Sequence, residues 1–267
     1  EHRLDAIPGC LVLSALLLCV LGAIFTPRLT IYAAGIVALY SAGRLVLAAF
    51  ANLRGLKRIQ VARRVDWYDR WRTAYADNPD VVLPWDSVRH VIIVPNFNEP
   101  FRVLADTLEN LAQAQGVDTQ FIVVLAMEAA EPDSDKKAER LQAKFAHRFA
   151  GLYCTMHPAN LPGEQQCKSA NAAWAGRWIK RRLIDKDGYP LDYVTVTTMD
   201  ADTRWHPAYF AALTYHFATD PARYHRFWQA PIRYHGNIWH ISPPMRLINA
   251  YATALDLGYM ASPGWLP

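Results

Sequence analysis

The chain has 267 residues, a formal net charge of +4 and a hydrophobic fraction of 52%. That length allows one large domain with an attachment, and the small net charge gives no reason to expect a nucleic acid as a partner. The four cysteines include no CxxC pair, so the sequence lacks the usual spacing of a structural zinc site. Free thiols in a reducing compartment are therefore expected.

Two long apolar runs open the chain. Residues 6–27 carry no charge, and a membrane-spanning helix needs about 20 mostly apolar residues. Residues 29–50 are interrupted only by Arg44, whose long side chain can reach an interface. We therefore expect two transmembrane helices within residues 1–53, with a buried helical hairpin of a soluble protein as the alternative.

A basic and aromatic linker is expected at residues 54–88. Its basic residues begin directly after the second apolar run, whereas the turn between the runs has only Arg28. The positive-inside bias then predicts a multi-pass protein of the cell (inner) membrane, with everything after the second helix in the cytoplasm. The linker also has the pattern of a helix lying on membrane lipids. Its aromatic residues, from Trp67 to Trp85, either lie at the interface or pack the linker onto the next domain.

Residues 89–240 have the pattern of an α/β domain. Short apolar or β-branched runs predict strands at 90–94, 120–126, 152–156 and 192–198. Helices are predicted between them, at 100–116, 133–149 and 168–183. Asn98 is a favoured helix cap, Pro100 suits a first turn, and Gly116 suits a helix end. Continuous apolar strands alternating with helices indicate a buried parallel sheet.

Asp200 and Asp202 follow the fourth predicted strand. Two carboxylates one residue apart can offer hard oxygen ligands to one divalent cation, and Mg²⁺ and Mn²⁺ then keep positions open for phosphate oxygens. The same pattern is also common in solvated turns. Because ligands of open α/β sheets bind beyond the carboxyl ends of the strands, this position favours a metal-phosphate site.

Other polar side chains are expected along the same edge. Asn98, Glu99 and Glu128 suit hydrogen bonds to a base and a ribose. Lys168, at a helix start, suits phosphate neutralisation, and Asn171 lies nearly one turn further on. The competing interpretation is helix capping for the two asparagines and an ordinary solvated charge for Lys168.

Three segments in order resemble motifs of family 2 glycosyltransferases of the membrane-bound, cellulose-synthase-like kind. They are Pro95-Asn96-Phe97-Asn98-Glu99, Lys168-Ser169-Ala170-Asn171 and Met199-Asp200-Ala201-Asp202-Thr203. The resemblance covers about residues 89–231. It implies a glycosyltransferase-A (Rossmann-like) domain, a nucleotide-sugar donor with UDP favoured, a polysaccharide or lipid acceptor, and Mg²⁺ or Mn²⁺ as cofactor.

The resemblance also implies roles for single residues. The donor-binding set is Pro95, Asn96, Phe97, Asn98, Glu99, Glu128, Lys168, Asn171 and Asp200. Asp200 and Asp202 are the implied metal ligands, with Asp202 on the metal that holds the diphosphate.

Two features depart from the family pattern. The second strand ends in Met127-Glu128-Ala129 where the family usually has Asp, and no acidic pair follows Asp220, where Asp256 stands alone. The general base is therefore expected beyond residue 267 of a longer protein, with residues 241–267 as an interfacial or acceptor-side segment. A nucleotidyltransferase and a catalytically silent membrane scaffold are the alternative functions.

Overall fold

The computed structural model describes residues 6–233 and 238–261, without the side chains of His240, Tyr259 and Ala261. The described residues form two compact units. One unit comprises the described parts of residues 1–64 and 229–267, and the other is Val65–Trp228. Parts of three predicted segments, residues 1–5 of the first, 234–237 of the α/β domain and 262–267 of the last, lie outside the described residues.

The elements follow one another in this order. The helices are α1 (Ile7–Phe25), α2 (Pro27–Ala62), α3 (Trp67–Asp77), α4 (Phe101–Leu111), α5 (Val117–Gln120), α6 (Ser134–Phe145), α7 (Lys168–Ile179), α8 (Tyr209–Thr219) and α9 (Pro243–Ala261). The strands are β1 (Arg89–Pro95), β2 (Phe121–Glu128), β3 (Gly151–His157) and β4 (Val194–Thr198).

The first unit contains the two apolar helices. α1 and α2 are each long and apolar enough to cross a membrane. Pro27 begins α2, where the missing proline N–H costs no helical hydrogen bond. None of either apolar window is buried, and Leu39 is 77% exposed, which argues against a buried hairpin of a soluble protein. α2 is continuous past residue 53 and ends at Ala62.

The last helix, α9, packs along α2 within the same unit. A Cβ added at Gly258 would stand 3.5 Å from the Ala48 carbonyl oxygen and 3.5 Å from Asn52 Nδ2. Both distances are ordinary van der Waals contacts, so the two helices pack against each other here and an added Cβ would touch α2 without a clash. This contact gives the segment after residue 241 a packing partner that its sequence does not reveal.

The second unit is built on a four-stranded parallel sheet in the order β3-β2-β1-β4. One face packs on α4, α6 and α8 through residues such as Ile92, Leu125 and Phe210, and the other packs on α7 through Val124 and Ala126. Because both faces are covered, the central strands are apolar at nearly every position. The predicted α/β class is confirmed, and all four predicted strands are present.

Two predicted helix boundaries are wrong. Asn98 does not cap a helix, because its φ of 61° is left-handed and α4 begins at Phe101 after an extended Pro100. Asn tolerates that conformation better than most residues do. Gly116 does not end α4, which stops at Leu111. Gly116 instead takes a φ of 74° just before the short helix α5.

The aromatic linker packs within the second unit. Trp67 is buried against Tyr215 and His216 of α8, with ring centroids 5.5 and 5.4 Å apart. Trp71 donates its indole N–H to the Leu83 carbonyl at 3.0 Å and lies close to Trp85. Of the two interpretations of these residues, packing onto the following domain is the one the structure describes for Trp67 and for Trp85, whose carbonyl accepts a hydrogen bond from the Gln120 side chain at 2.8 Å. Trp71 packs within the linker itself.

Candidate functional site at the carboxyl edge of the sheet

All four strands end at one edge of the sheet because they are parallel. The last residues are Pro95, Glu128, His157 and Thr198. The first motif begins at the end of β1, the second opens α7, and the third follows β4, so distant parts of the sequence meet along this edge. Open α/β sheets bind their ligands in this position.

The loop after β4 is a tight turn held by α4. The Asp200 N–H donates to the Thr203 hydroxyl at 3.2 Å, and the Thr203 N–H donates to the Asp200 carbonyl at 3.1 Å. The Thr107 hydroxyl donates to the Ala201 carbonyl at 2.5 Å. Asn110 adds two hydrogen bonds to the backbone of Trp205. The turn that carries both carboxylates is therefore held on α4 by hydrogen bonds within the protein.

Three charged side chains of this edge are exposed. Asp200 and Asp202 leave the turn into solvent, and Lys168, the first residue of α7, contacts the Asp200 carboxylate. An ion pair this exposed adds little to stability. The Lys168 ammonium and the two carboxylates are thus accessible to a ligand. The carboxylates suit a divalent cation, and the ammonium suits the phosphate groups bound with it.

The two carboxylates suit a hard divalent cation. Among residues 6–233 and 238–261 no cluster of three or more His, Cys, Asp or Glu side chains forms a cage for a metal. Mg²⁺, however, is usually bound by one or two carboxylates together with water and substrate phosphates. Asp200 and Asp202 on one exposed turn, beside Lys168, provide that donor set.

The loop after β1 is held in place by hydrogen bonds and an ion pair between buried polar groups. The Asn96 N–H donates to the Ala126 carbonyl at 2.9 Å, and the Asn96 side-chain amide donates to Glu131 at 2.6 Å. The Lys137 ammonium forms an ion pair with Glu131 and donates to the Glu99 carbonyl at 2.8 Å. Asn96 is thus part of the frame, and a direct contact with a nucleoside stays a prediction for it.

The rest of that loop faces outward. Pro95 is buried as the last residue of β1, whereas Phe97 and Asn98 are exposed and Glu99 is half-buried. Of the five residues in the first motif, Phe97 and Asn98 are therefore the best placed to meet a ligand.

Glu128 is buried and paired. Its carboxylate lies 2.9 Å from His157 Nδ1, and His157 Nε2 lies 2.6 Å from Glu164. Burial disfavours the imidazolium, but hydrogen bonds and charge from the two carboxylates outweigh it and raise the pKa of His157 above its usual 6.5. Glu128 is thus paired with His157, and its predicted contact with a base stays a prediction.

Asn171 is also part of the frame. Its side chain is 1% exposed and donates to the Ala126 carbonyl at 2.8 Å, so it joins α7 to β2. The alternative that Asn171 caps a helix is wrong, since it lies within the first turn of α7 and Cys167 holds the capping position. A direct donor contact stays a prediction for Asn171 too.

Five residues of this edge are missing from the sequence prediction. They are Thr107, Asn110, Glu131, Lys137 and His157. His157 could have been found, because it directly follows the predicted strand 152–156 and every strand end reaches this edge. Lys137 could not have been found from the sequence, because Lys136 beside it has the same side chain. The two differ only in the side of α6 they occupy, which places Lys137 against the buried Glu131 and leaves Lys136 exposed.

The sequence matches no known family model, and no curated protein and no solved structure is significantly similar to it. We therefore infer a function from the chemistry of this edge and from its three motif segments.

Proposed function

We propose that the protein is a membrane-bound glycosyltransferase, with a glycosyltransferase-A domain, that moves a sugar from a nucleotide-sugar donor to a polysaccharide or lipid acceptor. UDP is the favoured nucleotide. The observation that carries the proposal is the meeting of Lys168 with Asp200, on the turn that also holds Asp202, at the carboxyl edge of a parallel sheet.

The reaction is a displacement at the anomeric carbon of the sugar. An acceptor hydroxyl attacks that carbon, the bond to the diphosphate oxygen breaks, and the hydroxyl proton passes to a base. Negative charge then builds up on the departing diphosphate, and the Lys168 ammonium would neutralise it. A divalent cation held by Asp200 and Asp202 would supply Lewis-acid stabilisation of the same diphosphate. The proposal covers donor binding and departure of the diphosphate and assigns no base.

A position at the membrane is part of the proposal. α1 and α2 would form a transmembrane hairpin, and the basic residues near the end of α2 would lie on the cytoplasmic side. The donor site would then be cytoplasmic, which fits the free thiols of the described chain.

Calorimetric titration of the whole chain with UDP, with and without Mg²⁺, tests the proposal. We expect Mg²⁺ to strengthen UDP binding by about tenfold or more, equivalent to about 1.4 kcal/mol. Asp202→Asn should abolish that gain, because it removes a charged ligand. Asp192→Asn, close to the start of the same strand, is the matched control and should leave the gain intact.

Other outcomes separate the alternatives. Binding of UDP that ignores Mg²⁺ would contradict the proposed site. A response to UTP but not to UDP or a UDP-sugar would favour a nucleotidyltransferase, and no nucleotide binding at all would favour a membrane scaffold.

A further inference from the structure

His157 links two parts of the second unit that are separate in sequence. Its ring lies between Glu128 at the end of β2 and Glu164 in the loop of residues 158–167. The His157 side chain is 2% exposed, and the Glu164 side chain is 28% exposed. The contact thus joins a buried strand end to a half-buried loop.

The two contacts set the protonation state of the ring. A neutral imidazole has one N–H, whereas both neighbours of His157 are carboxylates, which accept hydrogen bonds and do not donate them. Both contacts can be hydrogen bonds together only when the ring carries two N–H groups. In the part of the chain that the structure describes, Arg177 of α7 is the further charged group paired with this cluster, 3.7 Å from Glu164, and the Trp174 ring packs on the imidazole at 5.8 Å.

The loop held in this way leads directly to Lys168. Glu164 closes a small turn with Leu161 through one backbone hydrogen bond of 3.2 Å, and Cys167 immediately precedes α7. Glu128, in contrast, is the last residue of β2, and its backbone is paired with His157 of β3. If the link at His157 breaks, Glu164 and the loop are therefore the parts able to move, because the loop's remaining described hydrogen bond to Glu128 is the long one from Gln166, at 3.5 Å.

We propose that His157 is a positioning residue: by binding Glu128 and Glu164 at once, it ties the 158–167 loop to the sheet and holds Lys168 beside Asp200. The contact between His157 and the loop stands by itself. Its consequence for a donor rests on the proposed function, because Lys168 is there the group that meets the diphosphate.

The link has a defined pH dependence. The raised pKa of His157 means that its contribution is fully present below the ordinary value of 6.5 and is lost as the pH rises through the folded-state value. Loss of one N–H then removes one of the two hydrogen bonds. Glu164 should be released, because it can turn to Arg177 and solvent, whereas Glu128 is buried and its other described donor is the Gln166 amide at 3.5 Å.

Hydrogen–deuterium exchange of the whole chain in detergent tests the link without any nucleotide. Amides of residues 159–168 should exchange about tenfold faster at pH 9 than at pH 6 after correction for intrinsic rates, the effect of losing one hydrogen bond to a charged group. The loop around Gly188, which lies between α7 and β4 and does not contact His157, is the internal control and should show no such change.

Three variants separate the two sides of the link. His157→Asn places an amide near the Nδ1 position, so it keeps Glu128 and loses Glu164, and the loop should exchange fast at both pH values. His157→Gln places its amide near the Nε2 position, keeps Glu164 and cannot titrate, so the pH dependence should vanish. Glu164→Ala changes only the loop side, leaves the buried pair intact and should match His157→Asn.

The outcomes are distinguishable. Slow loop exchange in both Glu164→Ala and His157→Asn, at wild-type rates, overturns the inference. Fast loop exchange together with weaker binding of UDP and Mg²⁺ supports it. Fast loop exchange in variants of a protein whose wild type never binds UDP supports the link but contradicts the proposed function.

Discussion

Two groups of charged residues lie at the same edge of the sheet, and they differ in burial. The buried group, Glu128, Glu131, Lys137 and His157, is paired within the protein. The exposed group, Lys168, Asp200 and Asp202, has its described ion pair only between Lys168 and Asp200. The comparison separates two tasks: buried charges fix the loops, and exposed charges remain available for a ligand.

The separation has a physical reason. Removing one partner of a buried ion pair leaves a charge without compensation in a poorly solvated place, so such pairs hold their geometry firmly. Exposed pairs are screened by water and are easily exchanged for a ligand. Changes in the buried group should therefore act first on stability, and changes in the exposed group should act on ligand binding alone.

The largest expected effect is that of Lys137→Met. It leaves the buried Glu131 carboxylate without its cation, and we expect a loss of about 3–5 kcal/mol in the free energy of unfolding. Thermal unfolding of the whole chain in detergent measures it. Lys136→Met is the control, because Lys136 pairs with Asp133 in solvent, and it should leave the unfolding midpoint where it is.

The next effect is that of Lys168→Met on nucleotide binding. Loss of one charge-assisted hydrogen bond, worth about 1.5–3 kcal/mol, should weaken binding of UDP with Mg²⁺ by roughly 10- to 100-fold. Stability should not change, since the Lys168–Asp200 pair is exposed. Lys180→Met, just after α7, is the matched control in titration calorimetry. Equal UDP affinity of Lys168→Met and the wild type would contradict a role of Lys168 in ligand binding.

His90 is a buried titratable residue near the amino end of β1, away from the candidate site at the carboxyl edge. Burial, with a smaller effect of the neighbouring Arg89, lowers the pKa of His90 to about 3, and its ring bonds Thr195 and Thr214. The unfolded chain binds this proton near pH 6.5 and the folded chain does not. Stability from His90 is therefore present above pH 6.5 and is lost as the pH falls towards 3, by up to about 1.4 kcal/mol per pH unit.

His90→Gln tests this by removing the titrating group while keeping an amide for hydrogen bonds. Unfolding free energies measured between pH 6.5 and 4 should fall less steeply for His90→Gln than for the wild type. Two parallel profiles would show that His90 is protonated in the folded protein or does not carry the acid sensitivity.

The smallest effect is expected for Asn171→Ala. It removes one buried hydrogen bond to the Ala126 carbonyl, which still accepts from the Asn96 N–H, so the cost should be about 1 kcal/mol. Ser169→Ala, exposed on the same helical turn, should cost less. If Asn171→Ala instead abolished nucleotide binding at unchanged stability, Asn171 would belong to the ligand-binding group.

The strands of the sheet could be predicted from the sequence because they are short runs of apolar or β-branched residues. Strands such as 120–126 were found nearly at their true bounds, since a parallel sheet covered on both faces needs such runs. Helix ends were less predictable. Asn98 has the chemistry of a cap, but its left-handed backbone and the extended Pro100 place the helix start at Phe101.

The position of the candidate site could be predicted from the sequence. Which of its charged side chains are buried and which are exposed could not. Strand ends of a parallel sheet must meet, so Asn98, Glu128 and Asp200 could be placed at one edge from spacing alone. Whether a polar side chain turns inward or outward depends on contacts made by distant residues. Glu128 is paired because His157 ends the neighbouring strand, and no local pattern around Glu128 indicates that.

In the proposed function, Asp202 and Lys168 hold a metal and a diphosphate at the carboxyl edge of the sheet. Crystals of the whole chain grown with UDP and Mn²⁺ test this most directly, through the anomalous signal of the metal. We expect one Mn²⁺ in contact with the Asp202 carboxylate and the UDP diphosphate, with the Lys168 ammonium on a phosphate oxygen. UDP bound away from this edge, or Mn²⁺ bound without contact to Asp202, would contradict it.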